Sequence, residues 1–112
     1  MYYPCYSHMY VPVINMSNVY GKVNELFQIQ IYENPTTGYG WAIAQMPQSI
    51  CLLDSYYTPD PCPPGPIGSG GTRTFVFGGL SPGQGRIKLI YVRPWDLLNP
   101  ADTAIYDVTI NP

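Results

Sequence analysis

Three features of the sequence predict an all-β protein built as a two-sheet β-sandwich. Short apolar stretches alternate with a period of two, and turn signals recur between them. The 13 prolines and 11 glycines among 112 residues are more helix breakers than a helical bundle tolerates. Each candidate strand has one strongly apolar face that needs a second layer to cover it, and a chain of this length holds one core.

Taken in order, residues 1–19 read as an N-terminal arm and a first edge segment, and residues 20–112 as the domain proper. Residues 1–12 are tyrosine-rich and interrupted by Pro4 and Pro12, which suits an extended arm or an irregular edge segment; residues 13–20 hold short β-prone pieces broken by Asn15 and Asn18. Gly21 reads as the turn into the first long strand, residues 26–32. There Phe27, Ile29 and Ile31 share one face and alternate with Gln28 and Gln30. Residues 39–44 resume as a strand burying Trp41 and Ile43, and residues 51–57 form another. The proline-rich stretch 58–66 cannot be a central strand, because proline has no N–H to give to the ladder; it reads as a rigid connection between sheets. Residues 72–77 put Phe75 and Phe77 on one face. Residues 80–83 are turn chemistry. Residues 86–92 carry Ile87, Leu89 and Tyr91 on one side, and residues 104–110 alternate Tyr106, Val108 and Ile110 with Asp107 and Thr109. The total is six or seven strands.

Composition narrows the function. Charged residues are 11% of the chain, against roughly a quarter in an average domain, and the net charge of −2 includes no basic cluster, which argues against nucleic acid as a partner. No stretch approaches the ~20 apolar residues of a membrane-spanning helix. Residues 1–13 lack a basic segment followed by an apolar one, so no secretory signal is visible; the protein is cytosolic, or secreted with its leader already removed. The 11 tyrosines fill strand positions or supply a contact surface. Cys5, Cys51 and Cys62 contain no CxxC pair, so neither a zinc site nor a complete disulfide framework is expected; a Cys51–Cys62 bridge and three idle thiols both remain open. Asn15-Met16-Ser17 has the form of a glycosylation acceptor, which matters only in a secreted context.

Catalysis finds no constellation. The single histidine, His8, lies in the N-terminal arm with nothing near it to orient an imidazole. Asp54, Asp60, Asp102 and Asp107 are dispersed and read as solvated loop carboxylates. Gly68-Ser69-Gly70-Gly71 lacks the Lys-Ser/Thr of a phosphate-binding loop and precedes a strand, so no helix N-terminus would receive a phosphate. Neither a cofactor nor a metal is expected.

Three segments carry more chemistry than a turn requires. In Asn34-Pro35-Thr36-Thr37-Gly38-Tyr39, Pro35 sets φ, two β-branched threonines restrict χ1, and Gly38 permits a positive φ, so an exposed loop is stiff and loses little entropy on docking. Gly68-Ser69-Gly70-Gly71-Thr72 has few side chains and lets something approach its backbone. Arg93-Pro94-Trp95 places a guanidinium and an indole, types enriched in binding hot spots, just past a strand end.

In this order the three segments resemble the chagasin family of cysteine protease inhibitors, whose signatures are an NPTTG loop followed by an aromatic residue and a nearby Trp, a GxGG loop, and an RPW loop. Here they are Asn34 to Tyr39 with Trp41, Gly68 to Thr72, and Arg93 to Trp95. The likeness extends to Val23-Asn24-Glu25-Leu26 and Leu89-Ile90-Tyr91-Val92, covering about residues 20 to 110. The first dozen residues and residues 54–66 depart from the pattern. The resemblance implies an immunoglobulin-like β-sandwich that acts as a monomer and as a reversible, non-covalent inhibitor of papain-like, for instance cathepsin L-like, cysteine proteases. It implies that Asn34, Pro35, Thr36, Thr37, Gly38 and Tyr39 enter the catalytic cleft with Thr36 beside the protease's Cys and His. Gly68, Ser69, Gly70, Gly71 and Thr72 would lie on the non-primed side, and Arg93, Pro94 and Trp95 would cover the primed side. The competing reading is an immunoglobulin-like adhesion or carbohydrate-binding module whose Tyr and Trp stack on a ligand.

Overall fold

The period-two stretches all form strands. The computed structural model describes residues 13–14 (as backbone only), 17–60 and 70–112. Among these the strands are β1 (Val13–Ile14), β2 (Asn18–Lys22), β3 (Leu26–Glu33), β4 (Gly40–Gln45), β5 (Ile50–Pro59), β6 (Gly71–Gly79), β7 (Gly83–Val92) and β8 (Asp102–Asn111), with one 3-10 turn at Pro35–Thr37. They make two four-stranded sheets, β1-β3-β6-β5 and β2-β8-β7-β4. The protein is an immunoglobulin-like two-sheet sandwich, the fold that the alternation and the resemblance predict.

The inner faces carry the core. Phe27 and Ile29 of β3, Ile50 of β5 and Phe75 and Phe77 of β6 meet Val19 of β2, Ile87 and Leu89 of β7, and Val108 and Ile110 of β8; all are buried. Phe27 and Phe77, cross-strand partners in the β3–β6 ladder, stack with ring centroids 5.3 Å apart. Burying each such side chain contributes roughly 1.5–3 kcal/mol, which is why the period-two pattern forces two layers.

Several local expectations are corrected. Residues 13–22 supply two edge strands: β1 runs parallel to β3 at the edge of one sheet, and β2 runs parallel to β8 at the edge of the other. Gly21 is inside β2, where a Cβ would come within 3.2 Å of the Ile110 Cδ1. The turn comes later, at Val23 and Asn24, where Asn24 takes φ 66°, a left-handed conformation that asparagine tolerates. The proline-rich stretch does not cross between sheets. β5 and β6 pair antiparallel within one sheet from Ile50↔Gly79 to Pro59↔Gly71, so it joins neighbouring strands, and Pro59 fits at the end of an edge strand where its missing N–H breaks no ladder. Asp54, Asp102 and Asp107 lie on strands instead of loops, because strand faces turned to solvent accept carboxylates as readily as turns do; Asp107 accepts from Arg86 Nε at 2.9 Å. Cys51 is half-buried and a free thiol among the described residues. Its suggested partner Cys62, together with Cys5, His8, Gly68 and Ser69, lies outside the described residues.

Connectivity places the loops. β3 ends and β4 begins at the same end of the sandwich, because Glu33 pairs with Gly71 at the start of β6 while Gly40 pairs with Val92 at the end of β7. Segment 34–39 therefore crosses from one sheet to the other. The β5–β6 connection emerges beside it from the first sheet, and the β7–β8 connection from the second.

Two outcomes test this packing. Leu89→Ala, at a fully buried position, should destabilise the fold by about 3 kcal/mol, read as a lower urea midpoint with an unchanged slope. The half-buried Tyr106 phenol has its pKa pushed above 10 by desolvation. The folded chain thus holds this proton more tightly than the unfolded chain, and the stabilisation is complete below pH ~10 and lost as pH rises through the folded value. Tyr106→Phe should lessen the fall in melting temperature above that pH. It should not abolish it, since Tyr57 is raised as well, first by desolvation and then by the Glu33 carboxylate.

Candidate functional site

The first loop is organised by its own side chains. Asn34, in extended conformation, caps a single 3-10 turn: its Oδ1 accepts from the Thr36 N–H at 3.2 Å and from the Thr36 hydroxyl at 2.6 Å. The Thr37 hydroxyl donates to the Asn34 carbonyl at 2.7 Å and accepts from the Tyr39 N–H at 3.3 Å. Gly38 closes the turn at φ 82°, with its N–H on the Pro35 carbonyl at 3.0 Å. Pro35, Thr36 and Thr37 stand exposed at the tip. The stiffness expected from residue types is thus present, and hydrogen bonds reinforce it. One detail differs: the Thr36 hydroxyl proton points at Asn34, so donation to a partner requires this hydroxyl to rotate away from that bond.

At the root of the loop sits a residue that sequence reasoning passed over. Glu33 is buried at 1% exposure. Its Oε2 accepts from Arg73 Nη2 at 2.9 Å and Nε at 3.2 Å, and its Oε1 accepts from the Trp41 N–H at 2.8 Å. Arg73 belongs to β6 in one sheet and Trp41 to β4 in the other, so a single carboxylate ties both sheets together where the chain crosses between them. A bidentate guanidinium and a backbone donor satisfy a charge that would be costly to bury alone. Glu33 continues the inward stripe Phe27, Ile29, Ile31, and Arg73 continues the inward stripe Phe75, Phe77. Two opposite charges that extend two apolar stripes toward the same loop cluster are the signal that would have found the pair.

The third loop is held to the first by a ladder of rings. Tyr39 stacks on Tyr91 at 5.4 Å, Tyr91 lies against Trp41 at 4.8 Å, and the Arg93 guanidinium sits 4.5 Å from the Tyr39 ring centroid. The Tyr91 hydroxyl accepts from the Asn34 N–H at 3.0 Å, and Trp41 Nε1 donates to the Tyr32 carbonyl at 2.7 Å. The Arg93 Nε is buried and has no hydrogen-bond partner among the described residues, consistent with a guanidinium engaged through its face. Trp95 is 73% exposed, yet the edge of its indole passes 3.1 Å from where a Cβ on Gly38 would stand. Asn34 to Tyr39 and Arg93 to Trp95 therefore form one continuous surface.

The glycine segment is placed beside them by the ladder Glu33↔Gly71 and Tyr32↔Thr72. Gly70 and Gly71 are buried. A side chain on Gly70 would overlap the Tyr32 ring, and one on Gly71 would overlap the Thr58 carbonyl and the Tyr57 hydroxyl. Their lack of side chains is thus demanded by contacts inside the protein, a reason that the glycine run alone does not disclose. Gly70 accepts from the Asp60 N–H at 3.2 Å, which closes the base of the β5–β6 connection.

Comparison with known proteins bears on the family and the fold. Residues 21–110 match the family model described as Chagasin family peptidase inhibitor I42. Amoebiasin-2 from Entamoeba histolytica is 34% identical over 88 residues, 78% of this chain and 72% of that protein. Chagasin from Trypanosoma cruzi is 30% identical over 95 residues, 80% of this chain and 84% of that protein. Among solved structures, the crystal structure of the cysteine protease inhibitor EhICP2 from Entamoeba histolytica superposes with a TM-score of 0.78 at 29% identity, covering 94% of this chain and 99% of that one.

The ion pair at the loop root gives a test. Glu33→Ala leaves Arg73 without its partner and should destabilise the protein by about 3 kcal/mol, the low end for a broken buried pair, because a quarter of the Arg73 side chain meets solvent. Glu33→Gln should lose less, since an amide oxygen still accepts from the Trp41 N–H. Denaturant titration checks both, and a Glu33→Ala protein within 1 kcal/mol of the parent would show that the pair is incidental.

Proposed function

Because this chain belongs to the chagasin family of peptidase inhibitors, we propose that it is a reversible, non-covalent inhibitor of papain-like cysteine proteases, acts as a monomer, is not itself an enzyme, and closes the protease cleft with its three adjoining loops. The observation that carries the reading is the single surface on which Gly38 meets Trp95 and Tyr39 meets Arg93. It joins the two most family-like motifs in one rigid wedge with an exposed polar tip.

Segment 34–39 enters the cleft. A papain-like site holds a thiolate against an imidazolium, and Thr36 brings to it a small uncharged hydroxyl that exchanges its bond to Asn34 for one to the protease. No charge of the inhibitor is buried in doing so. The turn at Pro35–Thr37 and the left-handed Gly38 hold the backbone in a closed shape, which keeps its peptide bonds out of in-line reach of the nucleophile. Arg93, Pro94 and Trp95 flank the cleft on one side, with the exposed indole as the anchor. Gly68, Ser69, Gly70, Gly71 and Thr72 flank it on the other. Since segments 34–39 and 93–95 are ordered before binding, little of their conformational entropy remains to be lost on association.

Steady-state inhibition of papain and a cathepsin L-like enzyme tests the proposal, and correctly folded protein without effect at micromolar concentration would overturn it. Thr36→Asp should weaken inhibition strongly by setting a carboxylate against the thiolate. Trp95→Ala should weaken it by about 2 kcal/mol, roughly thirtyfold in the inhibition constant, while leaving the melting temperature near that of the parent because the indole is mostly solvated.

A further inference from the structure

The connection between β7 and β8 continues past Trp95 as Asp96-Leu97-Leu98-Asn99-Pro100, and its composition is unlike that of a solvated turn. Leu97 is 57% exposed and Leu98 92%, next to Trp95 at 73%. Single exposed leucines are ordinary, but two in a row, one residue past an exposed indole in one hairpin connection, make an apolar ridge that needs a reason. The ridge is ordered. Asp96 N–H donates to the Arg93 carbonyl at 3.0 Å, the Asp96 carboxylate accepts from Asn99 Nδ2 at 2.7 Å, and Ala101 N–H donates to the Tyr91 carbonyl at 2.8 Å where the hairpin closes. Two polar residues thus bracket Leu97 and Leu98 and satisfy each other, and the leucines are left at the tip with no core to reach.

We propose that Leu97 and Leu98 form a second apolar anchor that docks on an apolar patch of the target protease outside its catalytic cleft, next to the place taken by Trp95, and that this contact sets which proteases are inhibited tightly. The inference rests on the inhibitory reading above. Adjacency identifies the occupant: Leu97 and Leu98 follow Trp95 in the same connection, and Trp95 meets Gly38 of the first loop, so a partner covering the indole lies next to both leucines. The neighbouring Asp96 is held by Asn99 and keeps its exposed negative charge beside the leucines, whose own contribution is dispersion and desolvation. Such a contact discriminates by what it meets. Against an apolar wall it slows dissociation, and against a charged wall it strands that wall's polar groups without partners.

The test compares the parent with a Leu97→Ser/Leu98→Ser double variant against papain and several cathepsin L-like and cathepsin B-like proteases, with Trp95→Ala alongside. For the protease bound most tightly by the parent, the double variant should raise the inhibition constant by about tenfold or more, mainly through faster dissociation. The loss should differ between proteases, so that the rank order of inhibition changes, while the melting temperature holds. Equal inhibition constants for parent and double variant across the panel would overturn the inference and leave the inhibitory reading intact. A parent inactive against every protease would overturn that reading, and the inference with it. Sedimentation of the parent as a dimer that the double variant abolishes, with inhibition unchanged, would assign the ridge to a second copy of this chain and overturn the proposal.

Discussion

The Glu33 carboxylate is the point on which the loop end of this protein depends. A sandwich is free to splay where its chain crosses from one sheet to the other, because the apolar core thins there and loops begin. Here that place is held by a charge with three donors, two from Arg73 on one sheet and one from the Trp41 backbone on the other. Hydrogen bonds supply what apolar packing does not at this end, namely direction: a carboxylate plane and a guanidinium fork admit one geometry, whereas apolar surfaces tolerate many. Segment 34–39 starts one residue later, so its exit angle is inherited from that geometry.

From this root, order spreads outward through contacts that become less buried and more aromatic. Tyr91 takes the Asn34 N–H on its hydroxyl and stacks between Tyr39 and Trp41; Arg93 then covers Tyr39, and Trp95 covers Gly38. Rings serve well here because they bring large rigid area with few rotatable bonds. Gly70 and Gly71 are tied to the same root from the opposite side, through Tyr32 against Gly70 and the pairing of Glu33 with Gly71. A surface assembled in this way is a single body, and a partner that needs all of it at once meets a preformed shape.

That construction also uses some of the chain's few charges internally. Two of its few ionic groups are spent on the internal pair Glu33 and Arg73, and Arg93 presents its face to a ring. The exposed part of the loop end is left mostly to hydroxyls, an indole and leucines, with Asp96 adding a charge. Recognition by such a surface depends on shape and desolvation, which suits insertion into a groove better than attraction at a distance.

The sequence by itself determined the layers and the loops. Alternation at Phe27, Ile29, Phe75, Phe77, Ile87, Leu89, Val108 and Ile110 marks the inner faces, because burial on one side of a strand repeats every second residue whatever the strand pairs with. Asn34 to Gly38 announce themselves because their rigidity is local, written into proline, β-branched and glycine residues in adjacent positions, and Arg93 to Trp95 because a guanidinium and an indole meet just past a strand end. Only the tertiary structure decided which strands are neighbours. That is why the stretch after Pro59 joins two strands of one sheet, why residues 13–22 divide between both sheets, and why Gly21 lies inside a strand. Only the tertiary structure, likewise, gave Glu33 its partner: Arg73 lies 40 residues away, and a sequence states that both charges exist without stating that the fold closes them on one another. The glycines at 70 and 71 follow the same rule, since what forbids a side chain there is a ring and a carbonyl brought in by pairing, and pairing is a property of the folded chain alone.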